Sequence, residues 1–187
     1  MIHSVRFIVV LDTNVIYPII IRDILFWFAY YDLYTPKWSE DIFDEWKNIM
    51  IKKGITEEEV NKRINNANNA FPDALVHNYK SIIDIIQLPD KKDCHVLAAA
   101  IKTNASLIVT NNIKHFPEKY LQSFGLKAKT ADDFLTDIID LNPKQAIHAF
   151  KEMVLNKKNP LQDEWKVLDL LKKASLINTA KCLHTLL

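Results

Sequence analysis

Three carboxylates stand out for where their neighbours place them. Asp12 ends the short apolar run Arg6–Leu11 and is followed at once by Thr13 and Asn14. Asp93 sits in the stretch Asp90–Thr103, where Val96, Leu97, Ala100 and Ile101 set an apolar helix face at about 100° per residue and Asp93 falls in the middle of it. Glu45 flanks the face formed by Ile42, Trp46, Ile49 and Met50, whereas Asp44 points nearly opposite, toward water. Each has a plain structural alternative. An Asp after a strand is a good turn former, Asp90 and Asp93 could serve as N-cap and N3 acceptor of one helix, and a glutamate at the edge of a buried face is ordinary. If the three converge, they make an oxygen-rich site of the kind that hard cations such as Mg2+ or Mn2+ choose. The cation would relieve the repulsion among the acids, polarise a phosphodiester and lower the pKa of an attacking water. Hydrolysis of a phosphodiester is the chemistry such a cluster suits.

The elements that would carry these groups alternate between strand and helix. Arg6–Leu11 (RFIVVL) is nearly continuous and rich in β-branched residues, the pattern of a parallel strand buried on both faces. Ile19–Tyr31 is too long and apolar for a strand and reads as a buried helix. Ser39, followed by Glu40 and Asp41, gives an N-cap with acids in the first turn of a helix that should stop at Gly54. Thr56 with Glu59 makes a capping box for a helix ending near Phe71-Pro72. Leu75–Leu88 is ambiguous, a helix is expected from Pro89-Asp90 through Thr103, and Leu107–Thr110 (LIVT) reads as a second buried strand. A short helix near Pro117–Phe124, an edge strand around Leu126–Lys129 and a helix from Thr130 to about Leu141 complete a body of α/β type. Ligands of such sheets bind beyond the carboxyl ends of the strands, which here finish in Asp12-Thr13-Asn14 and Thr110-Asn111-Asn112.

Asn142-Pro143 marks a break, and three short amphipathic helices are expected over 144–156, 161–174 and 176–186, with a break at Asn159-Pro160. The expected division is therefore a domain over 1–141 and a helical extension over 142–187. The net charge of +1 argues against holding nucleic acid by bulk electrostatics alone. The charge is uneven, however, with eight lysines against four acids after residue 140. Two cysteines, Cys94 and Cys182, are too few for a disulfide framework and wrongly spaced for zinc, so a reducing, cytoplasmic setting is expected. Met1–Leu11 lacks the long apolar core of a signal peptide, and Arg22 and Asp23 interrupt the apolar run Ile19–Tyr31, so no membrane association is expected.

Taken together, these segments resemble the bacterial PIN domains, and specifically the branch that often serves as the toxin of type II toxin–antitoxin modules. The resemblance runs through Val9–Val15, Arg22–Leu25, Pro36–Ser39, Ile42–Glu45, Phe71–Ala74, Leu88–Asp90, Asp93–Ala100 and Val109–Pro117, roughly three quarters of the chain. It implies a PIN-like three-layer α/β fold, a parallel central sheet flanked by helices, with a C-terminal helical extension like one found in this branch. It further implies a ribonuclease dependent on Mg2+ or Mn2+, with Asp12, Glu45 and Asp93 as the metal-site acids and Asn112 near the position of a fourth. Thr13, Asn14 and Thr110 would be supporting groups, RNA the substrate and a protein antitoxin the partner. Many relatives carry an acid in the stretch occupied here by Asn112–His115, and this chain has none.

Other residues keep two readings. His115 is either a phosphate-facing donor or a surface histidine. Arg22 and Asp23 either orient phosphate or form an interior ion pair or a solvent-facing strip. Trp27, Tyr30 and Tyr31 either stack bases or belong to the core or a homodimer contact. Two further functions stand beside the nuclease: a catalytically silent PIN-like module that binds RNA or protein, and a structure-specific DNA nuclease.

Overall fold

The computed structural model describes residues 7–158 and 160–187. Arg6 of the expected first strand and Asn159 of the expected C-terminal break lie outside the described residues. Five strands, β1 (Ile8–Leu11), β2 (Thr35–Ser39), β3 (Leu75–Val76), β4 (Leu107–Val109) and β5 (Lys127–Lys129), form one sheet in the order β3-β2-β1-β4-β5. Every pairing is parallel. β1 lies at the centre, with Val9, Val10 and Leu11 wholly buried, as its unbroken apolar run requires. The chain leaves β1 toward β2 on one side and later returns to β4 on the other. The crevice beyond the carboxyl ends of β1 and β4 is therefore the topological switch point, where open parallel sheets bind ligands.

Helices α1 (Thr13–Ile16), α2 (Ile19–Tyr30), α3 (Glu40–Lys52), α4 (Glu57–Ala70), α5 (Lys80–Ile83), α6 (Cys94–Lys102), α7 (Glu118–Gln122) and α8 (Ala131–Leu141) complete the body. α6 packs across β1, β2 and β4, and every residue from Cys94 to Ala100 is buried. Its Ala98-Ala99-Ala100 run, with little side chain to hold it off, lets a helix lie close over the sheet. α3 begins where Ser39 Oγ accepts the Ile42 amide at 3.2 Å. It ends in a paired closure, with Gly54 N–H on Ile51 O at 2.9 Å and Ile55 N–H on Met50 O at 3.1 Å. Gly54 holds φ 82°, the left-handed conformation that this closure needs.

Two elements carry little sequence signal. β2 contains Pro36 and Lys37, which do not read as a central strand. The register explains why proline is tolerated. Trp38 pairs with Leu75 and donates to Ala74 O, so Pro36 lies on the same side two residues earlier, before β3 begins, and no ladder bond is forfeited. α1 is one turn, formed because the Asp12 carbonyl accepts from both Val15 N and Ile16 N. The ambiguous stretch Leu75–Leu88 resolves into β3 and the single turn of α5.

After Asn142 come α9 (Pro143–Leu155), α10 (Glu164–Lys173) and α11 (Ile177–Leu186). α9 packs on α2 and α8, and α11 on α8 and α10. Asp132 of α8 fixes the last helix, accepting the Asn178 and Thr179 amides at 3.0 and 2.8 Å and the Thr179 hydroxyl at 2.7 Å. No helix among the described residues is long and apolar enough to cross a membrane.

Candidate metal centre

The switch point is built from the first residues beyond β1 and β4. Asp12 N–H donates to Val109 O at 3.1 Å, continuing the ladder by one residue and drawing Asp12 down beside Thr110. The Asp12 side chain is therefore buried, with 3% of its surface exposed. Its Oδ2 accepts from the Thr110 hydroxyl at 2.7 Å and from the Asn14 amide. Asn14 also donates to Thr110 Oγ1 at 2.9 Å and accepts the Asn111 amide at 2.8 Å, lacing the two strand ends together. Burial pushes the Asp12 carboxyl up from its usual 3.8 to about 6; the Thr110 hydrogen bond opposes the rise, and the nearby charges of Asp93 and Glu45 add to it.

Glu45 reaches the same crevice from α3. Its Oε2 accepts the Thr13 hydroxyl, and its Oε1 meets His95 Nε2 at 3.1 Å. The other ring nitrogen of His95 lies 3.4 Å from Ser39 Oγ, so this histidine, 8% exposed, is held between the start of α3 and the carboxylate. Burial alone would raise the Glu45 pKa, but the bonds from His95 and Thr13 outweigh it and hold the carboxyl below its ordinary value. Reciprocally, burial would lower His95, yet Glu45, with Asp41 and Asp12, raises it. Asp44 is exposed.

Asp93 departs from the simple helical wheel. α6 starts one residue later, at Cys94, and Asp93 closes a 3-10 turn over Lys91–Asp93. Asp90 is the cap of that turn, accepting Lys92 N–H at 3.0 Å, while the Asp93 side chain makes no capping bond. Instead Asp93 Oδ2 meets His115 Nδ1 at 2.6 Å. His115 is thus half-buried against an acid, and the surface alternative does not describe it. Potential ligand atoms of Asp90, Asp93 and His115 all lie within 4.8 Å of one another, the one tight triad of metal-ligating types among the described residues. Asn112, near the expected fourth corner, joins through its backbone, donating N–H to Thr110 Oγ1 at 3.0 Å.

The crevice thus brings Glu45 and Asp93 within electrostatic reach of Asp12 without making the three a tight triad, and beside them stand Asp90, the cap that the sequence marks, His115, and His95, whose role the sequence does not mark. A histidine within the otherwise apolar run Cys94–Ala100 is the signal that points to His95, since a buried imidazole needs partners. Arg22 and Asp23 do not pair with each other; Arg22 donates to Ile16 O at 3.2 Å and stacks over Trp46, and Asp23 binds Lys157 at 2.7 Å. Chemically, the donor set is carboxylate oxygens with an imidazole beside them, and no lysine or arginine pairs with Asp12, Glu45 or Asp93 among the described residues. A carboxyl pushed upward by burial, with two neighbouring carboxylates adding to the rise, is a site that a divalent cation fits.

Residues 131–185 match the family model of the VapC50 C-terminal domain. A Mycobacterium tuberculosis (strain ATCC 25618 / H37Rv) protein named "Putative ribonuclease VapC50" is 43% identical over 75 residues, 40% of this chain and 44% of that protein. The match therefore spans less than half the length of that curated relative. No solved structure matches. Residues 8–114, from β1 to the turn that follows β4 and so including Asp12, Glu45, Asp93 and Asn112, match the family model of the PIN domain, and the chain belongs to that family.

Proposed function

We propose that this protein is a metal-dependent endoribonuclease that hydrolyses RNA phosphodiester bonds, acting in the cytoplasm as the toxin of a toxin–antitoxin pair with a protein antitoxin as its partner. The observation that carries the reading is the buried Asp12 carboxyl at the switch point, pushed to about 6 with Asp93 and Glu45 beside it. The ribonuclease named for the relative supplies the substrate class. In this reading Asp12, Glu45 and Asp93 hold Mg2+ or Mn2+, and residues 1–141 form the nuclease unit with 142–187 as a helical extension. The bound ion supplies Lewis-acid polarisation of the phosphodiester and a lowered pKa for the attacking water.

The chain's own residues do the positioning. Thr110 and Asn14 pin one oxygen of Asp12 and set the direction of the other. Thr13 and His95 fix both oxygens of Glu45, and His115 orients Asp93. In this reading Asn112, its backbone N–H on Thr110 Oγ1, stands near the fourth corner, and His115 brings an imidazole to Asp93 from a stretch, Asn112–His115, that holds no acid. Purified protein incubated with RNA and Mn2+ tests the proposal. Cleavage is expected, and it is expected to vanish with EDTA and in Asp12→Asn and Asp93→Asn; cleavage that survives these controls overturns it.

The absence of any Asp or Glu from Asn112 to His115 favours one competing reading, a catalytically silent module that binds RNA or protein. Calorimetry separates the two. Mn2+ binding lost in Asp93→Asn supports the enzyme, and the absence of Asp93-dependent binding supports the silent module.

A further inference from the structure

Two adjoining cavities of about 490 and 360 Å3 lie outside the carboxylate cluster and share three walls: Arg22 of α2, Trp46 of α3 and Arg63 of α4. The larger is completed by Lys53 at the end of α3 and by Lys157 and Gln162 from the C-terminal region. No carboxylate lines either cavity among the described residues. Two acids outside the lining pair with cations of the walls, Asp23 with Lys157 at 2.7 Å and Glu59 with Arg63 Nε at 3.0 Å, whereas Arg22 and Lys53 have no ion pair among the described residues. The smaller cavity is walled by aromatic rings, with Trp27 and Phe71 half-buried and Tyr30 62% exposed at its mouth.

Two buried polar atoms on residues of these walls have no hydrogen-bond partner among the described residues. Trp46 Nε1 is an N–H donor on a side chain only 1% exposed, and Gln162 Oε1 is an acceptor on a residue that lines the larger cavity. Buried polar groups in native folds are almost always satisfied, so each asks for a complementary group. A ligand complementary to these walls carries an anionic group for Arg22, Lys53 and Arg63 and hydrogen-bonding groups for Trp46 and Gln162. The flat aromatic wall of the smaller cavity suits a stacked ring. The combined space is of the size that takes a small molecule.

We infer that these cavities bind a nucleoside phosphate, with the phosphoryl group among Arg22, Lys53, Arg63 and the Trp46 N–H, a ribose hydroxyl toward Gln162, and the base against Trp27 and Phe71. The same chemistry is offered by a free nucleotide and by one unit of an RNA strand. The site contains none of Asp12, Glu45 and Asp93, so it stands apart from the proposed hydrolysis, and its test needs no turnover.

The test is calorimetric titration of the full chain with 5′-AMP in EDTA, repeated in Asp12→Asn. Saturable one-to-one binding is expected in both, with unphosphorylated adenosine at least tenfold weaker. Arg63→Gln and Trp46→Phe should each weaken AMP by roughly tenfold or more, the value of one hydrogen bond to a charged group. Lys53→Glu, at an exposed position that leaves the core untouched, should do likewise. A short RNA oligonucleotide that displaces AMP identifies the strand as the source, and one that does not identifies the free nucleotide. Absence of AMP binding at millimolar concentration, equal binding of adenosine, or an affinity unchanged in Arg63→Gln and Lys53→Glu overturns the inference.

Discussion

Replacing Asp12 by Asn should stabilise the metal-free protein while destroying its activity. The Asp12 carboxyl is 3% exposed, and burial together with Asp93 and Glu45 raises its pKa from 3.8 to about 6. Because the folded value lies above the unfolded one, the fold prefers the neutral form. The stability this group contributes is full below its unfolded pKa and is lost as pH rises through about 6. The shift corresponds to about 3 kcal/mol of penalty at pH 8, roughly half of that at pH 5 and almost none at pH 3. An Asn of the same shape keeps an oxygen for the Thr110 and Asn14 donors and carries no charge to desolvate. Urea denaturation in EDTA across this pH range should therefore show Asp12→Asn more stable than the parent by up to about 3 kcal/mol at pH 8, with the two converging near pH 3. Added Mn2+ should reverse the order, since only the parent gains from the ion. An Asp12→Asn protein less stable than the parent at pH 8 in EDTA, or a difference that does not change with pH, refutes the reasoning.

Three other perturbations probe separate parts of the account. His95→Ala removes a bond that holds Glu45 below its ordinary pKa, so Mn2+ affinity should fall by roughly 10- to 100-fold and the acidic limb of the pH–rate profile should move to higher pH, as metal titration and a pH profile will show. His115→Ala releases Asp93 and should lower Mn2+ affinity on a similar scale of roughly 10- to 100-fold without changing thermal stability in EDTA by more than about 1 kcal/mol; isothermal calorimetry and melting curves check the two halves. Asp132→Ala frees two amides and a hydroxyl of α11 and should cost about 2 kcal/mol, with hydrogen exchange accelerated in Ile177–Leu186 and unchanged in β1.

Much of the frame is legible in the sequence because it rests on local rules. The unbroken apolar runs give β1 and β4, Ser39 and Thr56 cap the helices that follow them, and Gly54 ends α3. β2 escapes such rules, since Pro36 and Lys37 deny it any strand-like pattern and only the late start of β3 makes the proline harmless. The carboxylates are individually visible, but their partners are not. His95 and His115 become meaningful only once β2, α6 and the turn after β4 bring Ser39, Glu45 and Asp93 to them, contacts separated by 56, 50 and 22 residues. The wheel that aims Asp93 at the core assumes an α-helix through Asp90, and a 3-10 turn there redirects the side chain to His115. The orphaned Trp46 N–H is equally invisible in sequence, because Trp46 reads only as core.

The central claim is that Asp12, Glu45 and Asp93 share a divalent ion, and anomalous diffraction from a crystal soaked in Mn2+ tests it most directly. The account predicts a peak at the switch point between β1 and β4, coordinated by Asp12 and Asp93 with Glu45 around it. A peak confined to Asp90, Asp93 and His115 with Asp12 uncoordinated, or no peak at the crevice at saturating Mn2+, would contradict it.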